Sequence, residues 1–269
     1  MVSFKSPIQP SILIRVIRVK QLIPYLFVTG FVLIMTTIWL VSAYVTRRRR
    51  QALELLAQSL GFTFTAKAGD EIRAGLPQFT LLQAGRAQQI ENLLSGSTET
   101  TQVMIFDWRY VTGSGKNTQN HNTTIVAIQS AELRLPLWLC RPESVLDWIG
   151  LTFDGRDIDF EDQPLFSKKY HLHGNQEARL RRLFDFDVCT FFEQHIGSYA
   201  EASGQWLIYC RQEKKIAPDK IRDLLRDAFQ LHVLLKGEAG DLEDAANESQ
   251  PAVSDEARDE VPPEAERQF

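Results

Sequence analysis

From Gln21 to Thr46 the chain runs 26 positions without a charged side chain, and the run stops against four consecutive arginines, Arg47, Arg48, Arg49 and Arg50. An α-helix rising about 1.5 Å per residue needs roughly 20 apolar residues to cross a hydrocarbon core of about 30 Å. The run exceeds that length, so it predicts a transmembrane helix over residues 22–46, followed by an arginine stop-transfer cluster over 47–50. Arg47, Arg48, Arg49 and Arg50 are the expected membrane-interface residues, placed to meet anionic lipid. Phe27, Val28, Phe31, Leu33, Ile34, Ile38 and Leu40 put apolar side chains on every side of that helix. Thr29, Thr36, Thr37 and Ser42 are expected to bond back onto helix carbonyls. Trp39 and Tyr44 lie towards the arginine end, where amphipathic rings favour the interface, and Pro24 falls near the helix start, where a missing N–H costs little. The competing reading is a cleaved signal peptide with Val41 and Ala43 as its small residues. A secretory apolar region of about 7–15 residues is much shorter than this run.

Lys5, Arg15, Arg18 and Lys20 match the arginine cluster in number on the near side. The cluster is denser and meets no acid until Glu54, which predicts the main domain on the cytoplasmic side. Residues 1–21 form a basic, amphipathic segment: Ile12, Val16 and Val19 share one helical face with Arg15 and Arg18 opposite, a pattern suited to lying on a membrane surface. Cys140, Cys189 and Cys210 are odd in number and widely spaced, without a CxxC pair, so they predict buried thiols in place of a disulfide framework or a zinc knuckle.

Residues 51–236 have the composition and length of one globular domain with a substantial core. Residues 237–269 differ. Eleven acids, two arginines, three prolines and one aromatic residue in 33 positions give a net charge of −9 and predict an acidic disordered tail. The formal net charge of −4 therefore conceals a remainder carrying +5. Within the domain, Leu53, Leu56, Ala57 and Leu60 follow helical spacing up to Gly61, continuing the anchor helix. Strands are expected at Phe62–Thr65, Phe79–Ala84 and Thr101–Val111. The last of these sets Met104, Phe106, Trp108 and Tyr110 on one face, and Thr123–Gln129 pairs with it across the loop 113–120. Leu137–Cys140 reads as a third neighbouring strand, Ser144–Ile149 as a helical turn or two, and Asp157–Phe160 and Lys169–His173 as further strands. Asn175 caps a helix through Leu180 and Leu183, and a second helix runs from Val188 to His195. Tyr199–Ser203 and Trp206–Arg211 form a hairpin around Gly204. Pro218 opens a final helix with Ile221, Leu224, Leu225, Ala228, Leu231 and Leu235 as its apolar stripe and Gly237 as its stop. The fold class is α+β: an N-terminal transmembrane helix, then a mainly antiparallel β-sheet domain with flanking helices and a C-terminal helix.

Gly113-Ser114-Gly115-Lys116-Asn117 looks like part of a phosphate loop. A P-loop needs a glycine five residues before its Gly-Lys pair and a Ser or Thr after the lysine, and Tyr110 and Asn117 stand there instead. A hairpin loop is the simpler reading, with an anion nest around Lys116 as the alternative. His171 and His173 share one face of a strand, and Asp157 and Asp159 do likewise on a neighbour. They make a candidate ligand or acid–base set if the register allows, against the simpler reading of a solvated sheet face. No Gly-x-Ser-x-Gly elbow is present, and Arg179, Arg181 and Arg182 are followed closely by acids, so neither a catalytic residue nor a nucleic-acid surface is expected.

The blocks LAQSLGF (Leu56 to Phe62), IFDWRYVTGSGKN (Ile105 to Asn117), CRPE (Cys140 to Glu143), DIDF with the later FSKKYHLHG, and the closing hairpin and helix resemble uncharacterised bacterial proteins. These pair one N-terminal transmembrane helix with a single α+β domain. The resemblance spans roughly residues 22–236 and carries no activity or functional residue with it. The expectation is a non-enzymatic interaction or scaffold module, with the lipid bilayer and other membrane or envelope proteins as partners and no cofactor, metal or nucleic acid. The alternative is a membrane-bound enzyme or anion-binding protein that uses the Gly113–Asn117 loop, with Lys116, Asp107, His171 and His173 as ligand-binding residues.

Overall fold

The computed structural model describes residues 10–143, 157–211 and 215–248, and the side chains of 27–143, 157–211 and 215–236 among them. The chain forms two compact units, Met1–Phe64 and Thr65–Phe269.

The first unit is dominated by α1 (Pro10–Leu60), one unbroken helix. Within it, Phe27–Leu60 is long and apolar enough to cross a membrane. The hydroxyls of Thr36 and Thr37 donate to the carbonyls of Val32 and Leu33 at 2.7 and 2.8 Å, which removes their need for outside partners. The helix ends where Gly61 takes φ 70°: its N–H donates to Gln58 O at 3.2 Å and that of Phe62 to Ala57 O at 2.8 Å. These are the paired bonds of a Schellman cap, which a left-handed glycine provides without Cβ strain. The helical backbone already runs at Pro10, upstream of the start expected at residue 22, and Pro24 lies inside it. A single proline removes one bond and is tolerated inside a long apolar helix. The faces of the 1–21 segment lie outside the described side chains.

The second unit is built on an eight-stranded sheet: β1 (Thr63–Lys67), β2 (Arg86–Ser97), β3 (Thr101–Thr112), β4 (Gln119–Ser130), β5 (Leu135–Pro142), β6 (Tyr170–Gly174), β7 (Ser198–Gly204) and β8 (Trp206–Arg211), in the order β1-β2-β3-β4-β8-β7-β5-β6. From β2 to β6 each neighbouring pair is antiparallel. The β3–β4 and β7–β8 hairpins form as expected, the second turning at Gly204 with φ 59°. β5 does not lie beside β4. The β7–β8 hairpin intervenes, and β5 pairs with β7 and β6.

Alternation sorts the side chains into two cores. On one face Met104, Phe106, Trp108, Ile125, Ala127, Tyr199 and Ile208 are covered by Phe79, Leu81 and Leu82. Leu81 and Leu82 belong to α3 (Thr80–Gln83) and Phe79 is its N-cap, in the connection from α2 (Asp70–Gly75), so 79–84 is a turn of helix where a strand is expected. The other face is covered by α4 (Pro164–Lys169), α5 (Glu177–Leu183), α6 (Phe186–Gln194) and α7 (Ile221–Glu248). Phe166, Tyr170, Phe184, Phe191 and Phe192 interlock there with ring centroids 5.3–6.0 Å apart, a spacing at which aromatic pairs attract.

Asp185 caps α6 by accepting from Val188 N at 2.8 Å, whereas α5 begins after Gln176 without a side-chain cap and does not use Asn175. Asp157–Phe160 is irregular chain, not a strand. The apolar stripe of α7 packs against β4 and β8 with Ile221, Leu224, Ala228, Leu231 and Leu235 buried and Leu225 half-buried. Its backbone stays helical past Gly237 and Gly240 to Glu248; each glycine costs a helix only about 1 kcal/mol, and alanines and glutamates surround them. Residues 144–149 and 249–269, expected as a helical turn and as most of the acidic tail, lie outside the described residues.

Candidate functional site

The four candidate ligand residues do not converge. Lys116 stands exposed in a 3₁₀ turn, Gly115–Asn117, between β3 and β4. That loop closes on itself: Asn117 N donates to Ser114 O at 3.1 Å and Thr118 Oγ1 to Gly115 O at 2.9 Å, while Arg86 reaches the Gly113 carbonyl. A strand follows it, so no helix N-terminus faces a phosphate there. Asp107 lies mid-strand on β3, third in the sheet, and His171 and His173 lie on β6, the eighth. Five strand spacings of about 4.8 Å put roughly 24 Å between them. Register also opposes them. Met104, Ala127, Ile208, Glu201, Leu139 and His173 are successive partners on one face, and Asp107 is of the opposite parity to Met104.

Asp107 is 1% exposed, and its carboxylate ties three segments together. Thr124 Oγ1 donates to Oδ1 and Asn92 Nδ2 to Oδ2, each at 2.8 Å. Lys215 Nζ lies 3.8 Å from Asp107 and 3.4 Å from Glu91, and Ile216 N donates to Thr124 Oγ1 at 2.9 Å. Asn92 reaches Asp107 because a bulge between Glu91 and Leu94 turns it to φ 52°. The cluster fastens the chain entering α7 onto β2–β4.

The histidine face does find a carboxylate. Asp157 accepts from Leu172 N at 2.8 Å through Oδ1 and pairs with His171 Nδ1 through Oδ2, while Ile158 N donates to Leu172 O at 2.9 Å. A carboxylate on Nδ1 fixes the tautomer and leaves Nε2 as the acceptor, the arrangement of an oriented base. Its neighbours turn it to structural use: the same carboxylate completes the free edge of β6. Arg141 sits opposite His171 on β5 and is 7% exposed; burial lowers its pKa, and Asp157 opposes that shift. The His171 and His173 rings lie 6.3 Å apart and nearly parallel, and among the described residues no group of three His, Cys, Asp or Glu is placed to hold a metal ion.

Two further buried acids escape sequence reasoning because their partners are distant in the chain. Glu201, 1% exposed on β7, accepts from Thr80 N at 2.6 Å, Leu81 N at 2.7 Å and the Tyr199 hydroxyl, and so pins α3 to the sheet. Burial raises its pKa, and those hydrogen bonds pull it back down. Asp227 on α7 pairs with Arg211 and stands 3.6 Å from His195 Nε2, joining α7 to β8 and to the end of α6. For Glu201 the sequence signal is an isolated acid in a stretch of small and apolar residues; Asp227, beside Arg226 and four residues after Asp223, has no such signal.

In the first unit, Arg47, Arg48, Arg49 and Arg50 continue α1 directly after the uncharged run, so the arginine cluster is helical. Arg47, Arg48 and their two successors occupy one full helical turn, which spreads the four guanidinium groups around the helix axis; Arg47 and Arg48 are exposed, and Arg49 and Arg50 are half-buried. The Arg48 guanidinium lies over the Tyr44 ring, 5.4 Å from its centroid, a cation–π contact at the end of the span. Trp39 is 69% exposed and Tyr44 58%.

No protein family and no curated protein matches the sequence. Among solved structures, the chain is similar to a bacterial protein, the mycobacterial trehalose monomycolate transport factor A, TtfA. The TM-score is 0.50 at 16% identity, over 71% of this chain and 94% of that one. At that identity the likeness is one of fold: the α+β architecture has a crystallographic counterpart.

Proposed function

We propose that the chain is a single-pass membrane protein whose α+β domain is a non-enzymatic binding module, held on the cytoplasmic side of a bacterial inner membrane and engaging protein partners of an envelope assembly. One observation carries the reading. Thirteen large apolar side chains between Phe27 and Val45, from Met35 at 50% to Phe27 at 76%, are exposed around the whole circumference of α1. Covering such a side chain is worth about 1.5–3 kcal/mol, so leaving all of them in water costs roughly 20 kcal/mol or more. That exceeds the whole stability of a typical domain, about 5–15 kcal/mol. A surface apolar on all sides suits lipid better than a partner groove, which covers one face.

The cytoplasmic placement rests on Arg47, Arg48, Arg49 and Arg50 at the span's end, where they would meet anionic headgroups. The binding role is supported by what the buried acids do: Asp107, Glu201 and Asp227 each hold one segment of the domain to another. The solved neighbour is named as a transport factor, which is in keeping with an accessory part in a membrane assembly.

Fractionation tests the anchor. Full-length protein is expected to stay in the pellet after carbonate washing, and its recovery uncut from the aqueous phase would sink the reading. Crosslinking in intact membranes tests the module; recovery of nothing beyond the chain itself argues against it.

A further inference from the structure

Strand β2 breaks register against β3 near its start. Between Arg86 and Gln89 it holds one residue more than β3 has between Val111 and Arg109, and Ala87 turns the extra stretch at φ 54°. A left-handed alanine is an unfavourable backbone, and such bulges re-aim a side chain. Here the side chain is Gln88. Its Oε1 accepts from Arg73 Nη1 at 2.6 Å while its Nε2 donates to Ala84 O at 3.0 Å, so the amide is fixed at both ends and holds the guanidinium of α2 in place.

Arg73 and Gln88 are the common wall of two adjoining recesses. One, of about 290 Å³, is lined also by Lys67, Asp70, Gln89 and Glu91. The other, of about 450 Å³, is lined also by Gln78, Gln83, Leu76 and Leu82. Together they reach the size range of small-molecule sites. Glu91 is occupied by Lys215 at 3.4 Å and Arg109 at 4.0 Å. Lys67 and Arg73 form no ion pair among the described residues, so with Glu91 engaged elsewhere the recesses hold two cations against one remaining acid, Asp70, a surplus of one positive charge. A held guanidinium presents a planar fork matched to an oxyanion, and a second cation nearby suits a dianion.

We propose that the two recesses form a phosphate-binding site, with Arg73 and Lys67 receiving the phosphate and the amides of Gln78, Gln83 and Gln89 hydrogen-bonding the polar body that carries it. The phosphate belongs either to a soluble phosphorylated molecule or to a phosphomonoester lipid headgroup. The test uses the full chain in nanodiscs, with thermal unfolding of the domain as readout. In zwitterionic phosphatidylcholine discs, soluble pyrophosphate at constant ionic strength is expected to raise the Tm by about 3–6 °C once it exceeds its Kd roughly tenfold. If the ligand is a headgroup, the rise appears instead when phosphatidic acid replaces part of the phosphatidylcholine. In either arm Arg73→Ala, at an exposed position, is expected to abolish the rise, and Lys116→Ala to leave it intact. No rise in both arms, or an equal rise in Arg73→Ala, overturns the assignment.

Discussion

Replacing Glu201 by alanine tests whether a buried carboxylate holds one side of the sheet in place. Its oxygens accept from Thr80 N, Leu81 N and Tyr199 Oη, and Leu81 and Tyr199 are fully buried. Each orphaned buried donor costs about 1–3 kcal/mol. Three of them in one shared pocket, with partial relaxation, make the expected loss roughly 3–5 kcal/mol. For a domain of this size each kcal/mol moves the Tm by about 2–4 °C, so a fall of roughly 6–20 °C is expected.

The same change loosens Leu81, whose carbonyl accepts from Trp108 Nε1 at 3.2 Å, so tryptophan emission should shift to the red before global unfolding. Glu201→Gln separates charge from shape. It retains one acceptor oxygen but sets amide hydrogens against a backbone N–H, so it should cost less than alanine. It should also remove a pH dependence. Burial raises the folded pKa above the unfolded value, so the protonated acid favours the fold; stability is full below the unfolded pKa of about 4.3 and falls as pH rises towards the folded value. A Tm within about 2 °C of wild type for Glu201→Ala, less than 1 kcal/mol on the same scale, or an unchanged pH profile in Glu201→Gln, refutes this account of the tie.

Further outcomes follow from other positions. Gly85→Ala would put a Cβ 2.4 Å from the Val111 carbonyl oxygen at φ 64° and should cost at least about 2 kcal/mol, whereas Gly115→Ala, with open space around it, should cost about 1 kcal/mol in urea melts. Asp227→Ala frees Arg211, whose 40% exposure lets it rehydrate, so the loss should be a modest 1–3 kcal/mol, roughly, by chemical denaturation; a neutral result would mean that the contact does not secure α7. Gln205→Cys reads orientation: the native thiols are buried, with Cys189 and Cys210 pushed up to about 12, so only the new cysteine should react with an impermeant maleimide. Labelling only after cells are opened fits a cytoplasmic domain, and labelling of intact cells reverses the orientation.

The elements legible in the sequence are those whose cause is local. The apolar run, the Gly61 stop, the alternation of Met104 to Tyr110 and the turn at Gly204 each state their structure within a few residues. β2 escapes such reading because its two bulges break the alternation that would reveal it. The 79–84 segment reads as a strand because Phe79, Leu81, Leu82 and Ala84 are apolar and all buried, and it is helical because Glu201, over a hundred residues later, accepts its first N–H groups. The placement of β5 beyond the β7–β8 hairpin is likewise a long-range outcome that no window of sequence contains.

The candidate site shows a different limit. Asp107 and His171 stand out because acids and histidines in apolar strands are chemically suggestive, and the fold does give both of them close partners. It has to, because a buried charge without a partner is too costly to persist. A well-formed network around a buried acid is therefore what any stable fold must show, whether or not the acid has a task. Access is the better discriminator. Asp107 is sealed at 1% exposure, while Arg73 is exposed and yet held, by a glutamine that a strained alanine puts in position. A side chain fixed in place but left open to solvent serves the fold poorly for what it costs. That asymmetry favours the rim of β2 as the place where a ligand would bind, over the buried acids whose partners already satisfy them.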